Sequence, residues 1–138
     1  MSDNMIVKKA ADFIEKHLDE DLSLDMIAEG LNYSKYYIAR AFAKETGCTV
    51  YKYIQGRRLT KAAKKLAETK KPIIEIAYEA HYNSQQAFNL AFRRLYLCTP
   101  RAYRQNGIFS PKQTRISMKS IQIQSVSTTT MFGGRMVA

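Results

Sequence analysis

The second half of this chain is almost without acid. Every Asp and Glu of the 138 residues lies before residue 80, and residues 80–138 carry 8 Arg or Lys and no carboxylate. No pair of acids can therefore do general acid–base work there, and no carboxylate cluster can hold a metal. Cysteine is scarce too: Cys48 and Cys98 are the only two, and neither stands in a CxxC or Cys/His ligand spacing. That excludes a disulfide framework and a zinc ribbon, and leaves two free thiols in a reducing cytosol. No apolar run is long enough to cross a bilayer, and the start, MSDNMIVKK, lacks the apolar core of a signal peptide, so the expected place is the cytoplasm. There is no P-loop and no Ser/His/Asp set that helical periodicity would bring together, so no catalytic residue, metal or cofactor is expected.

What is present is basic charge, unevenly spread. Residues 1–34 hold 3 Lys against 8 acids, whereas residues 35–71 hold 11 Lys or Arg against 2. The formal net charge of +10 points to a polyanionic partner rather than to any particular fold.

A stretch of about twenty residues also occurs twice. SKYYIARAFAKETGCTVYKY begins at Ser34 and SQQAFNLAFRRLYLCTPRAY at Ser84. At this fixed offset Ala41 and Phe42 match Ala91 and Phe92, and Cys48, Thr49 and Tyr53 match Cys98, Thr99 and Tyr103. Upstream, with a slip of one residue, IAEGLNYS matches IAYEAHYNS. Two copies are too few for a solenoid. Each copy runs short apolar helix, turn, capping Ser, second helix, which is the order of a helix-turn-helix.

In chain order, Ile6, Ala10, Phe13, Ile14 and Leu18 make an amphipathic helix over about 5–18, with His17 near its end. Ser23 caps a short helix that ends near Gly30, where Gly30 and Asn32 are expected to supply the turn. Ser34 caps the next, to about Thr46, with Gly47 at its C′ position. Ile38, Ala41 and Phe42 face inward; Tyr36, Ala39, Arg40 and Ala43 occupy the opposite face. Thr49 caps a long helix over about 50–68, a rod of roughly 28 Å, with Arg57, Arg58, Lys61, Lys64 and Lys65 along one side. Pro72 opens the next helix, His81 falls in the second turn, and Ser84 caps a helix to about Tyr96. Its outward face holds Gln86, Asn89, Leu90 and Arg93, with Gln85 beside them; Gln and Asn are the side chains that pair bidentately with adenine. A last short helix starts at Thr99-Pro100. Helical periodicity then stops, and Ile116, Met118, Ile121 and Ile123 hint at a strand.

These features together resemble the AraC/XylS family of bacterial transcription regulators. The resemblance covers residues 5 to about 106 and rests on RRLTKAAKKLAETKKPIIEIA and on the pattern F-x-x-x-F-[KR]-x-x-x-x-x-[ST]-P-x-x-[YF]-R, here Phe88 to Arg104. It implies an all-α domain of seven helices over residues 1–106. Two helix-turn-helix subdomains, about 22–47 and 72–97, would be joined by the long helix and set into successive major grooves of double-stranded DNA. The family's base-reading positions fall on Tyr36, Ala39 and Arg40, and on Gln85, Gln86, Asn89 and Leu90. Expected phosphate contacts are Ser34, Arg57, Arg58, Lys61, Ser84 and Arg93. Ala39 stands where relatives carry Gln, Leu90 where they carry Arg, Tyr36 where they often carry Trp, and Leu97 where a glycine is common.

The implied function is sequence-specific regulation of transcription, as an activator touching RNA polymerase. The alternative is a non-specific architectural nucleic-acid binder, which would show a steep salt dependence without a specificity ratio. One chain already carries two unlike reading helices, so a monomer on an asymmetric site is expected, with modest DNA bending. Leu90, lacking any hydrogen-bonding group, either touches a thymine methyl, lies against sugar or packs inward. Residues 107–138 read either as a basic tail of a single-domain regulator or as the first strand of a small-molecule effector domain that follows.

Overall fold

In the computed structural model, which describes residues 3–116, the chain forms seven helices and no strand among those residues. They are α1 (Asp3–Lys16), α2 (Leu24–Leu31), α3 (Lys35–Thr46), α4 (Val50–Glu68), α5 (Ile73–Glu79), α6 (Gln85–Tyr96) and α7 (Pro100–Asn106). The strand expected around Met118–Ile123 lies outside the described residues; Ile116 itself is in no strand. The chain divides into two compact units, with α1–α3 and Val50–Ile54 of α4 in the first and the rest of α4 with α5–α7 in the second.

The first unit closes over Ile6, Val7, Ala10 and Ile14 of α1, Ile27 of α2, Ile38, Ala41 and Phe42 of α3, and Tyr53 of α4. The second closes over Leu59, Ala63 and Leu66 of α4, Ile76 and Ala77 of α5, Phe88, Phe92 and Tyr96 of α6, and Tyr103 of α7. The duplication read in the sequence is thus a duplication of packing. Phe42 meets Tyr53 at 5.5 Å between ring centroids in the first unit, and Phe92 meets Tyr103 at 5.4 Å in the second.

The termini of the helices repeat as well. Ser34 accepts from the backbone N–H groups of Tyr36 and Tyr37, and Ser84 from that of Ala87, so each outward helix begins on a serine oxygen. Thr49 and Thr99 do the same for the helices that follow. In the turns, Asn32 and His81 take left-handed backbone conformations (φ 63° and 68°), and the next N–H reaches back to Ala28 and Ala77 respectively. Asn and His are among the non-glycine residues that best tolerate this region.

Gly30 departs from expectation. It lies inside α2 rather than in the turn, and Asn32 alone supplies the left-handed residue. The glycine is there because the Phe13 ring packs on it: a Cβ would fall 2.3 Å from Phe13 Cε2. Phe13 in turn stacks on His17 at 4.1 Å, whose Nδ1–H is donated to the Phe13 carbonyl at 2.7 Å.

At the end of α3, Gly47 takes φ 77°, as a C′ glycine should. At the equivalent place after α6, Leu97 is held at φ 62°, although it bears a side chain and is 70 % exposed. The left-handed conformation costs a non-glycine residue about 1–2 kcal/mol. Leu97→Gly should therefore stabilise the second unit by roughly 0.5–1 kcal/mol, once the extra freedom of glycine in the unfolded chain is set against that relief. Urea unfolding should show a higher midpoint at an unchanged slope; a lower midpoint would mean that Leu97 contributes packing that its exposure does not suggest.

Residues 107–116 are neither helix nor free chain. Ser110, Lys112 and Gln113 donate their backbone N–H groups to the hydroxyls of Tyr103, Tyr96 and Thr60 in the second unit. Ile116 donates to the Tyr53 hydroxyl in the first and is buried in that core, while Arg115 pairs with Asp12 at 3.0 Å. Burial opposes ionisation of Asp12, but Lys8 and Arg115 outweigh it and hold the carboxyl below its ordinary range.

Candidate nucleic-acid interface

The site is built on two helices that each begin on a serine and keep one face out of the core. On α3 the buried stripe is Ile38, Ala41 and Phe42, so the opposite stripe turns outward. Tyr36 is 73 % exposed, Arg40 and Ala43 are exposed, and Ala39 is half-buried. The Arg40 guanidinium carbon lies 5.8 Å from the centroid of the Tyr37 ring, and the Tyr37 hydroxyl is donated to Asp3. Lys35 pairs with Asp25 of α2 at 3.0 Å, which ties the two helices of the motif and raises the Lys35 ammonium above its usual range. The Ser34 hydroxyl accepts within the cap, so its own hydrogen is not used there.

On α6, Phe88 and Phe92 are fully buried, and Gln86, Ala87, Leu90 and Arg93 are exposed. Leu90 is 56 % exposed. Ser84, Gln86, Ala87, Asn89, Leu90 and Arg93 together line an open notch of about 460 Å³. Asn89 and Gln85 are half-buried, and Asn89 Oδ1 is buried without a hydrogen-bond partner. The two also line a second groove of about 770 Å³, with Thr99, Pro100, Arg101 and Arg104 among its other walls. Arg104 donates Nε–H to the Leu66 carbonyl at 3.0 Å, and its Nη2 is buried without a partner. Sequence reasoning passed over Arg101 and Arg104 as site residues; their i, i+3 spacing in PRAYRQ, which sets both on one side of α7, was the available signal.

The remaining expected phosphate contacts lie on α4. Lys61 is exposed and Arg58 half-buried. Arg57 donates Nη1–H to the Gln113 carbonyl at 2.6 Å, so part of its guanidinium holds the segment after α7. Neither thiol offers chemistry of its own: both are half-buried, and burial pushes the Cys48 thiol up. Among the described residues no three His, Cys, Asp or Glu side chains converge on a metal site, and no helix is long and apolar enough to cross a membrane.

Each helix face by itself carries hydrogen-bonding and cationic groups that can meet a partner with a negatively charged backbone. The chain is similar to proteins of known type. A family described as "Helix-turn-helix domain" matches residues 27–106. The chain is 43% identical over 104 residues to the Transposon Tn10 TetD protein of Escherichia coli, covering 75% of each chain. It is 40% identical to Regulatory protein SoxS of Salmonella typhimurium, over 75% of this chain and 97% of that one. A solved structure of a transcriptional regulator from Chromobacterium violaceum, described as one of the AraC-type DNA-binding domain-containing proteins, superposes with a TM-score of 0.72. It is 28% identical and covers 75% of this chain and 92% of its own.

Proposed function

The chain belongs to the AraC-type helix-turn-helix family, and from that premise we propose that it is a DNA-binding regulator of transcription that sets α3 and α6 into successive major grooves. The observation that supports this most is the pair of serine-capped helices, each with an apolar stripe buried and the opposite face turned outward. In this family's mode of binding such helices offer their outward side chains to base edges, while flanking hydroxyls and cations hold phosphate. Tyr36, Ala39 and Arg40 read the first half-site; Gln85, Gln86, Asn89 and Leu90 face the second. Ser34 and Ser84 donate their hydroxyl hydrogens to phosphate at the helix starts, and Arg58, Lys61 and Arg93 add charge, with Arg57 shared between phosphate and the Gln113 carbonyl.

One chain supplies both heads, so it binds as a monomer to an asymmetric site in the cytoplasm. It acts as an activator by contact with RNA polymerase, and takes a small-molecule effector only if a further domain follows. Selection of bound sites from random DNA is the deciding experiment. An asymmetric footprint of about 20 base pairs, two helical turns, is expected. Lys61→Ala and Arg93→Ala should each weaken all sequences about equally and flatten the salt dependence by roughly one phosphate's worth. Recovery of no preferred sequence would favour the architectural reading, and a palindrome bound by a dimer would overturn the monomer.

A further inference from the structure

Leu90 occupies in α6 the place that Arg40 occupies in α3, the sixth residue after the serine cap, at the middle of the outward face. Over half of its surface is exposed. One turn before it lies Ala87, also exposed, so a methyl and an isobutyl group sit side by side on a face otherwise made of amide and guanidinium groups. Both line the same open notch, whose other walls are Ser84, Gln86, Asn89 and Arg93. Of these, Asn89 has its Oδ1 buried.

Resting on the DNA-binding reading above, we infer that the second recognition helix reads a thymine through its C5-methyl group, held in the notch between Ala87 and Leu90. In the major groove thymine is the one ordinary base that presents a methyl; the other base edges show hydrogen-bonding groups, which Leu90 and Ala87 cannot satisfy. A sugar contact fits less well, since Leu90 stands on α6 where Arg40, which the proposal above sets against a base, stands on α3. Small Ala87 lets the base edge come close to the helix. Gln86 lies four residues before Leu90, about 6 Å along the axis and so roughly two base steps of 3.4 Å. The site read by α6 is then an adenine under Gln86 with a methyl-bearing thymine within two positions of it.

The test replaces each thymine of the second half-site singly by deoxyuridine, which removes the methyl and keeps every hydrogen bond. Affinities of the whole chain and of Leu90→Ala are measured by fluorescence anisotropy at one salt concentration. One replacement should weaken the unaltered chain roughly four-fold, the worth of one buried methyl-sized group, and the same replacement should leave Leu90→Ala within about a factor of 1.5. Cytosine at that position should bind more weakly than 5-methylcytosine for the unaltered chain only. Leu90 is exposed, so its variant keeps the fold. If no replacement in that half-site matters, or if Leu90→Ala keeps the full difference, the inference is wrong while the function stands, provided the first half-site is still read. If the chain shows no sequence preference at all, both fail together.

Discussion

Phe92→Ala should lower the unfolding free energy of the second unit by about 3–5 kcal/mol, the range for emptying a fully buried aromatic site. Phe92 is the hub of that unit's rings. It stacks on Tyr96 at 4.6 Å, meets Tyr103 edge-on at 5.4 Å and leans on Phe88 at 5.6 Å. The hydroxyls of Tyr96 and Tyr103 are what Lys112 and Ser110 hang from, so loosening the two rings also releases the segment after α7. The expected signature is local. Hydrogen exchange read peptide by peptide should quicken across α5–α7 well before α1–α3, and site-specific binding should shrink to the first half-site. Uniform loss of protection throughout the chain would show instead that the two cores unfold as one, and a loss below about 1 kcal/mol would show that the site collapses around the missing ring.

Arg40→Ala should cost about 1–3 kcal/mol on the specific site, a factor of roughly five to 150, with little change in stability because the side chain is exposed. A guanidinium at the centre of an outward face reaches guanine O6 and N7 as a fork, and alanine leaves both acceptors without donors. Loss should therefore be largest on the site carrying that guanine and small on sites where it is already substituted. Leu90→Ala should cost less, since it removes apolar contact alone, and a first half-site sharper than an A·T-rich second one follows. Both variants measured against point-substituted sites decide it: a larger base-specific loss from Leu90→Ala would reverse the assignment of the two helices.

Much of the architecture could be read from the residues. Helix positions came out within a residue or two because each helix is announced locally, by apolar residues at i, i+3 and i+4 and by Ser34, Thr49, Ser84 and Thr99 as caps. The equivalence of Phe42–Tyr53 and Phe92–Tyr103 was visible as a repeat before it was visible as two ring pairs. Gly30 misled, because a glycine near a helix end reads as a turn whether its backbone or its neighbour demands it. Its reason, the Phe13 ring, comes from another helix.

The same limit explains the other surprises. Residues 107–116 carry no helical periodicity, so by themselves they read as part of a basic tail or of a first strand. What orders them is a set of hydroxyls lying 7, 16, 53 and 63 residues away in sequence. Local pattern sets helix, cap and repeat, because those depend on neighbours within about four residues. The burial of Asn89 Oδ1, the packing of Phe13 on Gly30 and the anchoring of Ile116 depend on packing partners that meet only when the chain has folded.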